Sequence, residues 1–174
     1  MIPDHAESLY HRFEREGIPL LLAGGWAVCH HGYSRLTLDV DWVCSRESEI
    51  RAIRLMEELR FVKTTEGMAS RFRRPSDLSF PPVDLIWVDA DTFARMGARK
   101  VFTGRSGNIP VIGFEALLAM KLYALKDDDA RKGKDLVDIR FLLDYNADVI
   151  TEDRLRAICD RFGGPGAYQK IRAI

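Results

Sequence analysis

The sequence predicts an α+β fold, in which a mixed, twisted sheet flanked by helices is followed by a C-terminal helical segment. Short apolar runs that suit buried strands alternate with amphipathic helical segments in the first part of the chain. From Phe114 onward the apolar residues recur at helical spacing instead. We therefore expect a core at residues 1–112 and a helical segment at residues 113–174, packed on the core as one compact unit.

Within residues 1–112, helix and strand patterns follow one another. Asp4 to Glu16 carries Leu9 and Phe13 at helical spacing and predicts an amphipathic first helix, and Ile18–Ala23 is an apolar run of strand length. The later patterns predict a strand at Leu38–Cys44, a helix at Ser48–Arg60, short strands at Phe61–Thr65 and Ala69–Arg74, a strand at Pro81–Val88, a helix at Thr92–Met96 and a hairpin made by Lys100–Thr103 and Ile109–Ile112.

The C-terminal patterns are helical. They cover Phe114–Leu125, about Ala130 to Tyr145, and a segment from Thr151 to the glycines at 163–166. The polar run Asp127–Asp129 is expected to cap the second of these helices. Residues 167–174 are expected to be loosely ordered.

A glycine pair follows the first predicted strand. Gly24 and Gly25 lie between Ile18–Ala23 and the short helical run Trp26–His31, where a predicted strand ends and a predicted helix begins. Unpaired N–H groups attract an anion there, and the missing Cβ atoms let its oxygens approach the backbone. The pair predicts a phosphate-binding turn, although such pairs are more often ordinary turns.

Two alternating acids follow. The period of a strand places Asp39 and Asp41 on one face, where the two charges would repel by roughly 4 kcal/mol at 4 Å and an effective dielectric of 20. A divalent cation removes that cost, and hard oxygen ligands favour Mg²⁺ or Mn²⁺. An isolated Asp-x-Asp also fits a solvated strand face, or a metal site of another kind such as that of sugar-nucleotide glycosyltransferases.

Together these motifs resemble a known superfamily. Gly24-Gly25, then residues 26–38, then Asp39-x-Asp41 is similar to the signature of the DNA polymerase beta nucleotidyltransferases. Within that superfamily the chain resembles the small AbiEii-type nucleotidyltransferases, some of which are toxins of toxin–antitoxin pairs. The matching residues are Gly24–Ala27, His31-Gly32, Arg35-x-Thr37-x-Asp39-x-Asp41, Lys121 and Arg131–Asp138.

The resemblance implies a third metal-binding carboxylate on an adjacent strand. Asp84 is the acid within the predicted strand Pro81–Val88, and we prefer it to Asp89 and Asp91, which resemble a turn and a helix cap. The order of the strands in the sheet stays open.

The resemblance also implies residues that bind the nucleotide phosphates. Lys121 matches a lysine that contacts them in the family, although a lysine within a helix equally often extends to solvent. Lys134 or Arg131 would reach the phosphates with Asp135 or Asp138 orienting it. Ion pairs on the helix surface between residues four apart, Arg131 with Asp135 and Lys134 with Asp138, explain the same residues without a ligand.

Five further residues are candidates for contact with phosphate or RNA. Arg35 and Thr37, just before Asp39, are candidates for contact with substrate phosphate. The arginine-rich run at Arg71, Arg73 and Arg74 indicates either a basic strip for RNA or a solvated strand edge that discourages pairing.

Composition limits the classes of partner. The 26 Lys and Arg residues balance the 26 Asp and Glu residues, so strong nonspecific DNA binding is not expected. The three scattered cysteines fit a reducing cytoplasm and neither a disulfide framework nor a zinc motif. No signal-peptide pattern and no long apolar segment is present, so we expect a cytoplasmic protein without a membrane partner.

The predicted function is therefore transfer of NMP from an NTP to a hydroxyl, with two Mg²⁺ or Mn²⁺ ions held by Asp39, Asp41 and Asp84. The acceptor would be an RNA or tRNA end or a protein, and an antitoxin is an expected partner. The alternatives are nucleotide transfer to a small antibiotic, or a noncatalytic nucleotide-binding or interaction module that keeps the fold.

Overall fold

The computed structural model describes residues 3–127 and 132–173, without the side chains of residues 127 and 132. It divides into two compact units, residues 1–27 with 35–113 and residues 28–34 with 114–174. The predicted boundaries at 112 and 113 did not include the short segment 28–34 in the second unit, and they stay a prediction. Asp128, Asp129 and Arg131, predicted as caps and a phosphate contact, lie outside the described residues.

One sheet organises the first unit, and the predicted class, a mixed sheet flanked by helices, is confirmed. Its order is β3-β4-β5-β2-β1-β7-β6. The pairs β2–β5 and β1–β7 are parallel, and the other neighbours are antiparallel. The strands are β1 (Leu20–Leu22), β2 (Val40–Ser45), β3 (Val62–Thr65), β4 (Ala69–Arg73), β5 (Val83–Val88), β6 (Val101–Thr103) and β7 (Ile109–Val111).

Helices complete both units. In the first unit α1 (Asp4–Arg15) buries Leu9, Tyr10 and Phe13, and the Tyr10 ring stacks on the buried Trp42 of β2 with centroids 5.8 Å apart. That apolar contact holds α1 against the sheet. The remaining helices are α2 (Gly24–His30), α3 (Glu49–Glu58), α4 (Ala90–Gly97), α5 (Phe114–Asp127), α6 (Lys132–Tyr145), α7 (Glu152–Ile158) and α8 (Ala167–Arg172).

The second unit is built from the helices that follow Gly113. Leu118 and Leu122 of α5 and Ile139 and Leu142 of α6 are fully buried, so the two helices share an apolar core. The Asn146 side-chain amide donates hydrogen bonds to the carbonyls of Leu142 and His31, at 2.9 and 2.8 Å. This contact ties the short segment 28–34 to the end of α6. Among the described helices, none combines the length and apolarity needed to cross a bilayer.

The first two strands start later than predicted. The first strand starts at Leu20, because Ile18 donates its N–H to Phe13 and so closes α1, and Pro19 has no N–H to donate. Strand β2 starts at Val40, whose N–H is donated to the carbonyl of Pro82, so Asp39 lies in a bend before the strand.

The C-terminal tail also differs from the prediction. Residues 167–172, expected to be loosely ordered, form α8, in which Ala167 and Ile171 are buried. Spaced four apart, these two side chains lie on one face of the helix, and their burial stabilises so short a segment.

The burial of Cys44 and Cys159 predicts that their thiols react slowly in the folded protein. Desolvation raises the pKa of Cys44 to about 12 and the pKa of Cys159 to about 11. A raised pKa leaves a cysteine as the unreactive thiol at every pH below that value. At pH 8 we expect a chromogenic disulfide reagent to react quickly only with the more exposed Cys29, and with all three cysteines after unfolding. Rapid reaction of two or more thiols in the folded protein would contradict the described packing.

Candidate active site

A row of charged side chains crosses the sheet. Asp41 of β2 pairs in register with Asp84 of β5, and Asp84 pairs in register with Arg71 of β4. Each of the three lies between neighbours that are buried on the opposite face, which are Val40 and Trp42, Val83 and Leu85, and Ser70 and Phe72. Because side chains alternate along a strand, Asp41, Asp84 and Arg71 all project from the other face. Adjacent strands lie about 4.8 Å apart, so the Asp41 and Asp84 carboxylates are neighbours.

Asp39 joins this row from the bend before β2. The Nη2 atom of Arg71 donates to Oδ2 of Asp39 at 2.9 Å, and Nε of Arg71 lies 3.5 Å from Oδ1 of Asp84. The Thr37 hydroxyl lies 3.5 Å from Oδ1 of Asp39. One guanidinium therefore links two of the three predicted metal-binding carboxylates.

The glycine pair lies against the same row. An added Cβ at Gly24 would come within 1.8 Å of Oδ2 of Asp41, and one at Gly25 within 2.3 Å of the Thr37 hydroxyl oxygen. Gly24 also has a φ of +55°, which other residues adopt only at a cost. The N–H of Ala23 is donated to the Asp41 carbonyl at 2.9 Å, which fixes the two segments together. The missing side chains thus let Asp41 and Thr37 lie directly on the backbone of the turn.

Arg35 lies at the edge of this cluster. Its Nη1 atom would be 3.3 Å from a Cβ at Gly25, and it donates to the Leu36 carbonyl at 3.1 Å. The structure thus brings together every site residue predicted before residue 113: Gly24, Gly25, Arg35, Thr37, Asp39, Asp41 and Asp84. Their assignment to metal and nucleotide stays a prediction.

Asp39, Asp41 and Asp84 suit a divalent cation in the chemistry of their ligand atoms and in the positions of their backbones. The three carboxylates are hard oxygen donors, and the register of β2 with β5 places Asp41 beside Asp84. In residues 3–127 and 132–173, however, no three His, Cys, Asp or Glu side chains lie close enough to hold one ion together. The cation that contacts Asp39 and Asp84 is the Arg71 guanidinium.

The sequence interpretation missed this role of Arg71. The arginine-rich run was interpreted as a basic strip or a solvated strand edge, but β4 is an interior strand between β3 and β5, so the edge interpretation is wrong. The available signal was the alternation of Arg71 with the apolar or small residues Ser70 and Phe72. Its partners could not be identified because they lie on other segments of the chain.

In the second unit, Lys121 forms a buried ion cluster. Its Nζ atom lies 2.6 Å from Oδ1 of Asp135 and 2.7 Å from Oδ2 of Asp138. The exposed fractions of the three side chains are 11%, 6% and 0%. The alternative of ion pairs on the helix surface is therefore wrong for Asp135 and Asp138, which face α5. The pattern of residues four apart could not reveal a partner on another helix.

The predicted phosphate contacts of this unit remain untested by that geometry. Lys121 contacts two carboxylates and its side chain is 11% exposed, whereas Lys134 is exposed on α6. Both residues stay predicted nucleotide ligands.

The geometry at Gly24 predicts a large difference between two glycine substitutions. In Gly24→Ala the new methyl group collides with Asp41 and needs a left-handed backbone, so we expect a loss of at least about 1–2 kcal/mol in the free energy of unfolding. The control is Gly133→Ala on α6, where nothing lies within 4 Å and helix propensity predicts a gain of about 0.4–1 kcal/mol. Urea titration of both variants measures the difference. Equal stability of the two would contradict the close approach of Asp41.

The Lys121 cluster predicts a second stability effect. Lys121→Met removes a cation from two buried carboxylates and should destabilise the protein by about 3–5 kcal/mol. The matched control is Lys126→Met on the same helix, where the lysine is exposed and the change should stay within about 0.5 kcal/mol. Thermal unfolding of both variants distinguishes them. A loss below about 1 kcal/mol in Lys121→Met would mean that the cluster contributes little.

Comparison with known proteins finds a family model that is similar to the C-terminal part of the chain. Residues 93–173 match the family model described as "Nucleotidyl transferase AbiEii toxin, Type IV TA system". No curated protein sequence matches the chain.

Several solved structures share the fold. The solution structure of the antibiotic-resistance factor ANT(2'')-Ia has a TM-score of 0.69 at 13% identity, over 97% of this chain and 95% of that chain. The lincosamide antibiotic adenylyltransferase LnuA, with lincomycin bound, has a TM-score of 0.59 at 17% identity, over 82% and 96%. JHP933 from Helicobacter pylori has a TM-score of 0.54 at 17% identity, over 93% and 75%.

These structural likenesses establish the fold. The chain has the polymerase-beta-like nucleotidyltransferase fold, as the sequence predicts, and its residues 93–173 are similar to the AbiEii-type nucleotidyltransferases.

Proposed function

We propose that the chain transfers NMP from an NTP to a hydroxyl group and depends on Mg²⁺ or Mn²⁺ held by Asp39, Asp41 and Asp84. The observation that carries this proposal is the register of β2 with β5, which sets Asp41 beside Asp84 next to the Gly24 backbone. Two carboxylates side by side are costly without a cation. A bound divalent cation would lower the pKa of the acceptor hydroxyl and stabilise the charge on the leaving pyrophosphate.

The side chains of the first unit have separate tasks in this reaction. The acceptor oxygen attacks the α-phosphorus, the bond to pyrophosphate breaks, and the hydroxyl proton passes to Asp84, the proposed base. The missing Cβ atoms at Gly24 and Gly25 let Asp41 and Thr37 approach this backbone closely, and its N–H groups are the proposed donors to a phosphate oxygen beside those side chains. Thr37 and Arg35 lie beside that turn and are the proposed hydroxyl and guanidinium donors to the phosphates.

In the second unit, lysines would balance the charge of the triphosphate. Lys134 is exposed and can bind phosphate without breaking a described contact, whereas Lys121 Nζ contacts Asp135 and Asp138 and its side chain is 11% exposed. We therefore propose Lys134 as a direct ligand and Lys121 as a ligand that binds phosphate while Asp135 and Asp138 orient it. Both contributions are electrostatic.

The acceptor and partner follow from the family and are proposals of lower rank. The match to a model named for a toxin of a toxin–antitoxin system supports an antitoxin as partner. We further propose an RNA or tRNA end or a protein as acceptor and a cytoplasmic location. The likeness to ANT(2'')-Ia and LnuA, named for antibiotics, favours a small antibiotic instead. Fold alone does not decide between these substrates.

The proposed reaction predicts a strong dependence on Asp41. With radiolabelled NTPs, Mg²⁺ or Mn²⁺, and total RNA, protein or aminoglycoside as acceptors, we expect Asp41→Asn to lower product formation by at least about 100-fold. The control, Asp91→Asn, changes an exposed acid in the first turn of α4 and should retain wild-type activity. Equal labelling by wild type and Asp41→Asn would reject the assignment.

Expression of the chain in cells distinguishes the two classes of acceptor. A toxin should arrest growth on expression and leave added nucleotides on RNA or protein, detected by mass spectrometry. An antibiotic-modifying enzyme should confer resistance without arrest. Nucleotide binding that needs no metal, with no product on any acceptor, would favour the noncatalytic module.

A further inference from the structure

Arg71 lies between two carboxylates of the first unit, those of Asp39 and Asp84. Strand β4 is antiparallel to β5, with Arg71 in register opposite Asp84, and the alternation along β4 turns Arg71 toward the carboxylates. The resulting contacts are 2.9 Å to Asp39 and 3.5 Å to Asp84. The exposed fractions are 30% for Arg71, 28% for Asp39 and 13% for Asp84, so water screens this cluster only in part.

A guanidinium is suited to this position. It is planar, permanently charged and carries several N–H donors in a fixed fork, so its two ends can reach carboxylates on different segments. The donor at Nη2 occupies an oxygen of Asp39, and Nε approaches an oxygen of Asp84. These are oxygens that a divalent cation would also need, and the guanidinium and the metal would repel each other at that separation.

We propose that Arg71 is the resident counter-cation of the carboxylate site, and that a divalent cation must displace its guanidinium in order to bind. The inference rests on the proposed function, because it takes the three carboxylates as metal ligands. It adds that Arg71 balances the charge of the carboxylates before a metal ion binds, and that the position of the Arg71 side chain sets the metal affinity. Two ligands that compete for the same oxygens weaken each other's binding by equal factors.

The first test is binding of Mn²⁺ alone to the full chain, measured from the loss of the free-ion paramagnetic resonance signal. Arg71→Gln removes the charge, and we expect its affinity for Mn²⁺ to rise on the order of tenfold. Arg71→Lys keeps a charge but not the fork, and we expect an affinity between those of wild type and Arg71→Gln. The matched control is Arg73→Gln on the same strand, an exposed arginine whose loss should leave the affinity unchanged.

A second readout distinguishes a counter-cation from a purely structural arginine. Without metal, Arg71→Gln should unfold at a lower temperature than wild type, because Asp39 and Asp84 lose a cation. Saturating Mn²⁺ should reduce this difference in unfolding temperature, because the bound metal supplies the positive charge that Arg71→Gln lacks. If Arg71 served only in packing, the difference in unfolding temperature would stay constant as Mn²⁺ is added.

The two proposals fail in different ways. Equal or weaker Mn²⁺ binding by Arg71→Gln, with binding that Asp84→Asn abolishes, overturns the role of Arg71 and leaves the metal site intact. Absence of carboxylate-dependent Mn²⁺ binding in both wild type and Arg71→Gln overturns both. Wild-type transfer activity in Asp41→Asn overturns the proposed function alone.

Discussion

The pairing of two carboxylates across parallel strands is the constraint around which the first unit is arranged. Asp41 and Asp84 have the same register, and the core-facing neighbours of each fix the direction of the side chains. The sheet cannot relieve this repulsion by shifting the register of β2 or β5 by one residue, because such a shift would expose Val40, Trp42 and Leu85 to water. Burial of the opposite face therefore holds the two carboxylates together, and a nearby cation would offset their repulsion.

Segments on both sides of Asp41 and Asp84 leave room for these carboxylates or supply a positive charge to them. The Gly24 backbone admits Asp41 at a distance that any side chain would prevent, and Thr37 lies against Gly25 in the same way. On the other flank β4 supplies Arg71. The site is thus enclosed by backbone on one side and by a guanidinium on the other, an arrangement suited to exchange one positive charge for another.

Local patterns in the sequence predicted the parts of this site that depend on neighbouring residues. The glycine pair and Asp39-x-Asp41 are close in the chain, so their spacing indicated a shared site. Asp84 required the family resemblance, because the parallel pairing of β2 with β5 joins segments separated by α3, β3 and β4. The start of β2 was misplaced, since Pro82, which accepts the hydrogen bond of Val40, is distant in sequence.

The errors have the same physical origin. The edge interpretation of Arg71 and the helix-surface interpretation of Asp138 each stood as one of two alternatives, because a sequence pattern shows the face of an element but not what packs against that face. Lys121 was recognised as unusual, yet its carboxylate partners lie on the next helix. Charged residues on interior elements take their roles from contacts between elements, and these are set by the packing of the whole fold.

A divalent cation shared by the carboxylates on β2 and β5 would be visible in a crystal structure with Mn²⁺ and a nonhydrolysable NTP, with the metal located by anomalous scattering. We expect an anomalous peak within about 2.2 Å of oxygens of both Asp41 and Asp84. A peak remote from both residues, or an ordered nucleotide with no metal beside them, would contradict this expectation.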